Sequence, residues 1–402
     1  MKKHHLQLGL WAAALLTFSE TAFPAEPRPT LKDAYKDQFY VGVAVNRTIA
    51  MGAAGTADNV NRNSDQVQKD AQTVLQQFNQ VVAENDMKWA LIHPQQGADG
   101  FDFGPADAFV DFGLRNHMYL VGHTLVWHGQ TPIWVFQGTN PPPVREKDDA
   151  PNAASKRFRY DGPRASREEL LARMREHIHT VVGRYKGKIK VWDVVNEAIS
   201  DKGSDLLRDS LWMEIIGPDF IAKAFEYAHE ADPDAILRYN DYGLENPTKR
   251  QKLITLIKSL QAQKVPVMAI GSQTHVSVSG PSFEEMDRAL TEMATLGLPI
   301  HITEFDVNSA RTGQGTTGAD ISGNSTTTQG GLVENADQRL ADQYAALFKA
   351  FLKHKDVVKI VTFWGVNDGV SWRAKGKPLL FDSDNAPKPA FDAVIRAATD
   401  SK

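Results

Sequence analysis

The chain has 402 residues, 42% of them hydrophobic and 23% charged, with a formal net charge of −4 and acids and bases interleaved along its length. That composition is globular, and it supplies neither the basic block that nucleic acid would need nor an acidic tail. There is no cysteine, which excludes disulfides, thiol catalysis and cysteine-type zinc sites; a core of this size needs no disulfides.

The N-terminus reads as an export signal. Lys2 and Lys3 form a positive start, residues 6–18 are apolar but too short to span a bilayer comfortably, and cleavage near Ala25 is expected, although Phe23 stands where a small residue is preferred. Residues 1–25 are therefore expected to be a signal peptide and 26–402 a single catalytic domain, periplasmic or secreted. No later segment is apolar and long enough for a membrane helix.

Eight strand-like runs follow in order: 38–46, 80–89, 118–128, 189–197, 235–242, 267–276, 298–307 and 357–366. Helical patterns lie between most of them. One is "SREELLARMREHIHTVVGRY", where Ser166 and Glu169 form a capping-box pattern; another is "PDFIAKAFEYAHEAD". Near-continuous apolar strands alternating with helices predict a parallel sheet covered on both faces. Eight is the number that closes a (β/α)8 barrel, with a doubly wound open sheet as the competitor. Nearly every run ends in polar or aromatic residues: Asn46, Glu84 and Asn85, His123, Asn196 and Glu197, Asn240 and Asp241, Gln273 and His275, Glu304 and Asp306, Trp364. A barrel gathers such ends on one face, which favours the barrel.

Two segments read as extended loops on that face. Residues 138–166 are Pro-rich and charged; 309–337 are rich in Gly, Ser and Thr, can bury little apolar surface, and are expected to be dispensable for folding. "GQGTTG" within the second matches a dinucleotide fingerprint, but no helix-forming run follows and no ribose-binding acid is placed, so it reads as loop. His177 and His179 sit two apart in a helix, point to different faces and are expected at the surface. "ENDMKW" and "TEFDV" carry oxygen ligands of the kind Ca²⁺ or Mg²⁺ takes, but no EF-hand spacing is present, so neither metal nor cofactor is expected.

Glu197 and Glu304 remain. As structural acids at strand ends both would need partners, because an unpaired buried charge is costly. As a pair on one rim, among Trp89, Trp127, Trp134, Trp364 and Trp372, they fit glycoside hydrolysis. One acid protonates the leaving oxygen; the other attacks the anomeric carbon or activates water. Sugar C–H faces stack on such aromatics.

The motifs "ENDMKWALIHPQQGADGFDF", "GHTLVWHGQTP", "WDVVNEAI", "LWMEIIGPDFIAKAFEYA", "YNDYGLE", "GSQTHV", "ITEFDV" and "FWGVNDGVSWR" together resemble the endo-β-1,4-xylanases of glycoside hydrolase family 10, from the first strand nearly to the C-terminus. The resemblance implies a (β/α)8 barrel and endo-hydrolysis of xylan with retained configuration. It makes Glu197 the acid/base and Glu304 the nucleophile, with carboxyl groups about 5–5.5 Å apart. It assigns Asn196 to the 2-hydroxyl of the sugar being cleaved, His275 to holding Glu304, and Gln273 to the same sugar. Glu84, Asn85 and Lys88 would grip hydroxyls on the non-reducing side. His123, Trp127, Trp364 and Trp372 would wall the pocket, and Tyr242 would contact substrate. Trp372 would crowd the hydroxymethyl arm that glucose has and xylose lacks. Gly243 departs from the asparagine that family members often carry, on the leaving-group side. The expected partners are xylan and xylo-oligosaccharides, and the expected state is a monomer. The rivals are a β-1,4-glucanase on the same barrel and, in a different class, a non-catalytic xylan-binding barrel; the presence of both glutamates argues against the latter.

Overall fold

The structure is a computed structural model that describes residues 28–57, 60–141, 160–311 and 331–400. The expected signal peptide and the "GQGTTG" segment lie outside these residues. Eight strands form the barrel: β1 Tyr40–Val45, β2 Gln80–Ala83, β3 Tyr119–Gly122, β4 Val191–Asn196, β5 Ile236–Asp241, β6 Ala269–Ser272, β7 Ile300–Asn308 and β8 Val358–Phe363. Every neighbouring pair is parallel, in the order 1 to 8, and β8 returns to β1 to close the ring. The expected (β/α)8 barrel is the fold, and the open-sheet alternative falls because closure leaves no sheet edge.

Among the described residues eight main helices alternate with the strands: α1 Ser64–Gln77, α2 Gly104–Arg115, α3 Arg167–Arg184, α4 Phe220–Ala231, α5 Pro247–Ala262, α6 Phe283–Ala294, α7 Ala336–Lys353 and α8 Pro389–Asp400. Short polar residues start many of them. Asn63 with Gln66, Ser166 with Glu169 and Ser282 with Glu285 form reciprocal capping boxes, and Asn246 caps α5 ahead of its first-turn proline. The larger core lies between strands and helices. The barrel interior holds a second, smaller cluster of Ala44, Val82, Val121, Val191, Ile360 and Trp364. It is small because polar side chains fill the upper interior.

The structure corrects several boundaries. The second run stops at Ala83; Glu84 to Lys88 form a loop and Trp89 opens a short helix, Trp89–Ile92. The third run breaks after Gly122 and resumes as Val126–Trp127, and the sixth breaks after Ser272 and resumes as His275–Ser277. Apolar and aromatic residues continue past these strand ends, so the sequence pattern overruns them. Residues 138–166 do not start as loop: Gln137–Asn140 is a short strand bridging Arg164. The ends of 309–337 are likewise built in. Ala310 bridges Leu332, Ser309 and Ala310 are buried, and α7 begins at Ala336, so only residues between them could be dispensable.

His177 is not at the surface. It is fully buried, its ring stacked on Trp89 at 3.7 Å, with Nδ1 3.3 Å from Nδ1 of His93. Burial lowers the proton affinity of both rings, so the pair is neutral. His179 sits at the rim of the same helix and meets Glu230 at 3.1 Å. A spacing of two along a helix turns one side chain inward and leaves the other outside.

A buried clip joins the first and last loops of the catalytic face. Asp70 in α1 accepts both guanidinium arms of Arg62 (2.8 and 2.5 Å) and the side-chain amides of Asn367 and Asn385 (2.7 and 2.8 Å). Asn367 belongs to the β8 loop that carries Trp364 and Trp372. Asp70→Ala would strand Arg62, only 4% exposed, without its counter-charge. We expect a loss of about 3–5 kcal/mol in urea unfolding. A loss below about 1 kcal/mol would show that Arg62 finds water or another partner.

Candidate active site

β4 ends in Asn196, and Glu197 follows with φ of 59°, a left-handed conformation that a non-glycine residue holds only when its surroundings impose it. Here the surroundings are explicit. The amides of Ala198 and Ile199 both donate to the buried hydroxyl of Tyr239 (3.0 and 3.1 Å), which itself donates to Asp241 at 2.6 Å. Glu304 lies within β7. A single polar chain links the two acids. Gln273 Nε2 donates to Glu197 Oε1 (2.9 Å) and to Asn196 Oδ1 (3.2 Å). Asn240 Nδ2 donates to the same Asn196 oxygen (2.9 Å) and to Glu304 Oε1 (2.8 Å), while Thr303 donates to Asn240 Oδ1 (2.7 Å). The crowding requires glycine at 271, where a Cβ would lie 2.3 Å from Asn240 Oδ1.

The other oxygen of Glu304 takes His275 Nε2 at 3.2 Å, and His275 Nδ1 donates to Asp306 Oδ2 at 2.9 Å. Burial alone would strip the His275 proton, but the Asp306 charge and the two hydrogen bonds outweigh it and hold the imidazole up to about 9. His275 is therefore a cation at neutral pH. Glu304 experiences the same contest. Burial pushes its carboxyl up, yet the His275 hydrogen bond and the charges of His123, His275 and Lys88 win and hold it below the ordinary value. At Glu197 burial wins. With help from the Asp241 and Glu304 charges, and against Arg208 and the Gln273 hydrogen bond, it pushes the carboxyl up to about 7. One buried cluster thus raises one carboxyl group and lowers the other. That is the division that glycosidic bond cleavage needs.

The sequence model of glycosyl hydrolase family 10 matches residues 30–397. The chain belongs to this family. A β-1,4-xylanase of Dictyoglomus thermophilum is 37% identical, over 95% of this chain and 96% of the relative. An endo-1,4-β-xylanase of Geobacillus stearothermophilus is 37% identical, over 91% and 98%. Among solved structures, an intracellular xylanase from Thermoanaerobacterium saccharolyticum, in complex with xylotetraose, is similar with a TM-score of 0.73 and 36% identity, covering 91% of this chain and 98% of that one.

The remaining expected residues of the family-10 site all lie just past barrel strands. Glu84 is buried at the start of the β2 loop. Beyond it Lys88 donates to Asn85 (2.7 Å) and sits 5.3 and 5.9 Å from the rings of Trp127 and Trp364. His123 Nδ1 donates to Asp193 at 2.9 Å, and the ring meets Trp364 edge-on at 5.3 Å. Trp372 packs beside His275, and its indole N–H is tied to Asp306 at 2.8 Å. Tyr242 is more engaged than expected. Its hydroxyl bonds Asp201 and Arg208, and Lys249 covers one ring face at 3.2 Å. At Gly243, with φ of 65°, an added Cβ would meet the Lys249 side chain in ordinary contact at 3.7 Å. Trp89 belongs to the core rather than the cleft, and Trp134 packs against it and His93.

Sequence reasoning missed several contributors. Asn240 and Asp306 carried the strand-end signal but received no role of their own. Asp193 and Arg238 form a bidentate buried pair under His123 (2.7 and 2.9 Å) inside apolar-looking strands, where no local pattern marks them. Among the described residues no cluster of potential metal ligands occurs and no helix is long and apolar enough to cross a membrane.

Proposed function

We propose that this family-10 chain hydrolyses internal β-1,4-xylosidic bonds of xylan with retention of configuration. The observation that carries the reading is a pair of buried carboxyl groups joined by one hydrogen-bonded chain, with surroundings that shift their proton affinities in opposite directions. In the first step ionised Glu304 attacks the anomeric carbon and the C–O bond to the leaving sugar breaks, while Glu197 gives its proton to the departing oxygen. In the second, Glu197, now a carboxylate, takes a proton from water. The water oxygen bonds to the same carbon and Glu304 leaves. Asn196 and Gln273 support sugar hydroxyls: Gln273 Oε1 is buried with no partner among the described residues, as a hydroxyl acceptor would be before substrate arrives. Two inversions at one carbon give retention.

Xylan over cellulose is supported by Trp372. Its indole is fixed by Asp306 and by the Arg373 guanidinium, 4.5 Å from the ring. A tethered indole excludes a hydroxymethyl arm by clash, and rejection of this kind can outweigh modest attraction. The purified protein is expected to release reducing ends from xylan at least about 100-fold faster than from cellulose, the discrimination a pocket wall can reach. Proton NMR of the first product should show the β-anomer before mutarotation. Equal rates would support a glucanase, an α-product would point to inversion, and no release from either would leave a binding barrel. Export by the first 25 residues is part of the proposal. Fractionation of a producing cell, with N-terminal sequencing of the mature chain, tests it.

A further inference from the structure

We propose that Arg208 is a positioning residue that fixes Glu197 in its cleft-facing conformation. The inference rests on the reading of Glu197 as the acid/base. Arg208 lies beyond β4 in the segment leading to the short helix Leu211–Ile215. Its Nε donates to the backbone carbonyl of Glu197 at 3.0 Å, and its own amide donates to the carbonyl of Ala198 at 2.7 Å. Both bonds close on the two peptide units that follow the left-handed residue. The outer end of the guanidinium is held too: Nη2 donates to Asp201 at 2.9 Å and to the Tyr242 hydroxyl at 2.8 Å. Lys249 neutralises Asp201 and Asp241 from the far side, at 2.8 and 3.0 Å. Arg208 therefore ties the Glu197 turn to Asp201 and to the β5 loop.

The same guanidinium lies over a second contest. The groups facing Glu197 are Gln273, Asp241, Glu304, His128 (its Nε2 at 4.0 Å) and Arg208, with Asp201, Tyr242 and Lys249 behind Arg208. His128 is neutral, since burial keeps its proton affinity far below the ordinary value. After burial, which pushes Glu197 up, Arg208 is the strongest neighbour pulling it back. Without Arg208 the acid would hold its proton more tightly and regain function as a base less readily.

The clamp and the charge are separable. Arg208→Lys keeps the charge but loses the planar fork that reaches the Glu197 carbonyl and Asp201 together. Arg208→Gln loses the charge. The alkaline limb of kcat/KM for xylan in the native protein is expected near the Glu197 value of about 7. In Arg208→Gln we expect that limb to rise by about one pH unit and xylan turnover to fall by about 10-fold or more, the lower range of acid/base effects. In Arg208→Lys the limb should return towards the native position while turnover on xylan stays low. Formation of the glycosyl-enzyme from an aryl xylobioside with a very acidic phenol, which needs little proton donation, should change less than threefold in both.

Carbon-13 NMR of the Glu197 carboxyl reads its titration in the folded protein, apart from turnover. An unmoved titration in Arg208→Gln, or an equal loss on xylan and the aryl substrate at every pH, makes Arg208 merely structural and overturns the proposal. Should Arg208→Gln not fold, Arg208→Lys decides: unchanged xylan turnover there removes the clamp. Failure of the acid/base assignment looks different. Glu197→Ala would then show no dependence on the leaving group, whatever Arg208 does.

Discussion

Glu304→Ala is expected to abolish turnover on every glycoside, by on the order of 10⁵-fold, the scale of losing a catalytic nucleophile. Without its carboxylate no covalent intermediate forms. Glu197→Ala should depend on the substrate. On xylan the leaving oxygen needs a proton, and the loss should be about 10²–10⁴-fold. On an aryl xylobioside with a very acidic phenol the first step should survive. Deglycosylation then lacks its base, and a burst of phenol should appear. Azide needs no base. It should restore turnover in Glu197→Ala with a β-glycosyl azide as product, and in Glu304→Ala it should give the α-azide by direct displacement. An α-azide from Glu197→Ala would reverse the two roles. Undiminished xylan hydrolysis in both variants would move the site elsewhere.

The second large effect belongs to a residue that never needs to touch the sugar. Asp306 Oδ2 accepts from His275 and Trp372, and its Oδ1 accepts from Arg373 at 2.9 Å. One carboxylate therefore sustains the cation beside Glu304 and anchors Trp372, the proposed wall against a hydroxymethyl arm. Asp306→Asn removes the charge and keeps the shape. His275, held up to about 9 chiefly by that charge against burial, would lose its proton at neutral pH. Glu304 would lose the partner that keeps it ionised, and its carboxyl would rise. The sign follows. A group that must be ionised for attack fails at higher pH once its proton is held more tightly, so the acid limb of kcat/KM should move upward. We expect a loss of about 10²-fold or more at neutral pH. The ratio of aryl xylobioside to aryl cellobioside hydrolysis should also narrow, because a neutral amide tethers the Trp372 N–H more weakly than the carboxylate does. A reduced rate with an unmoved acid limb would separate Asp306 from the Glu304 charge. An unchanged ratio would show that packing alone holds Trp372.

The sequence by itself determined the alternation that closes the barrel. Strand-length apolar runs separated by capped helices are local patterns, and local hydrogen bonding enforces them: Ser166 and Glu169 form the capping box their spacing predicts. It also placed the two candidate acids together, because the carboxyl ends of parallel strands share one face, so Glu197 and Glu304 could be paired from strand order alone. What the sequence could not determine depends on neighbours far along the chain. Strand ends were overrun at Ala83, Gly122 and Ser272, since residues lining a cleft look as apolar as residues in a strand. His177 and His179 look alike in sequence; only the packing of Trp89 and His93 on one helix face decides which is buried. The protonation of the two acids is decided the same way. Asn240, 64 residues from Glu304, and Gln273, 76 from Glu197, complete the bridge. Burial and charge at a point are sums over everything packed there, so the proton affinities of the two glutamates part in opposite directions only once the barrel has closed.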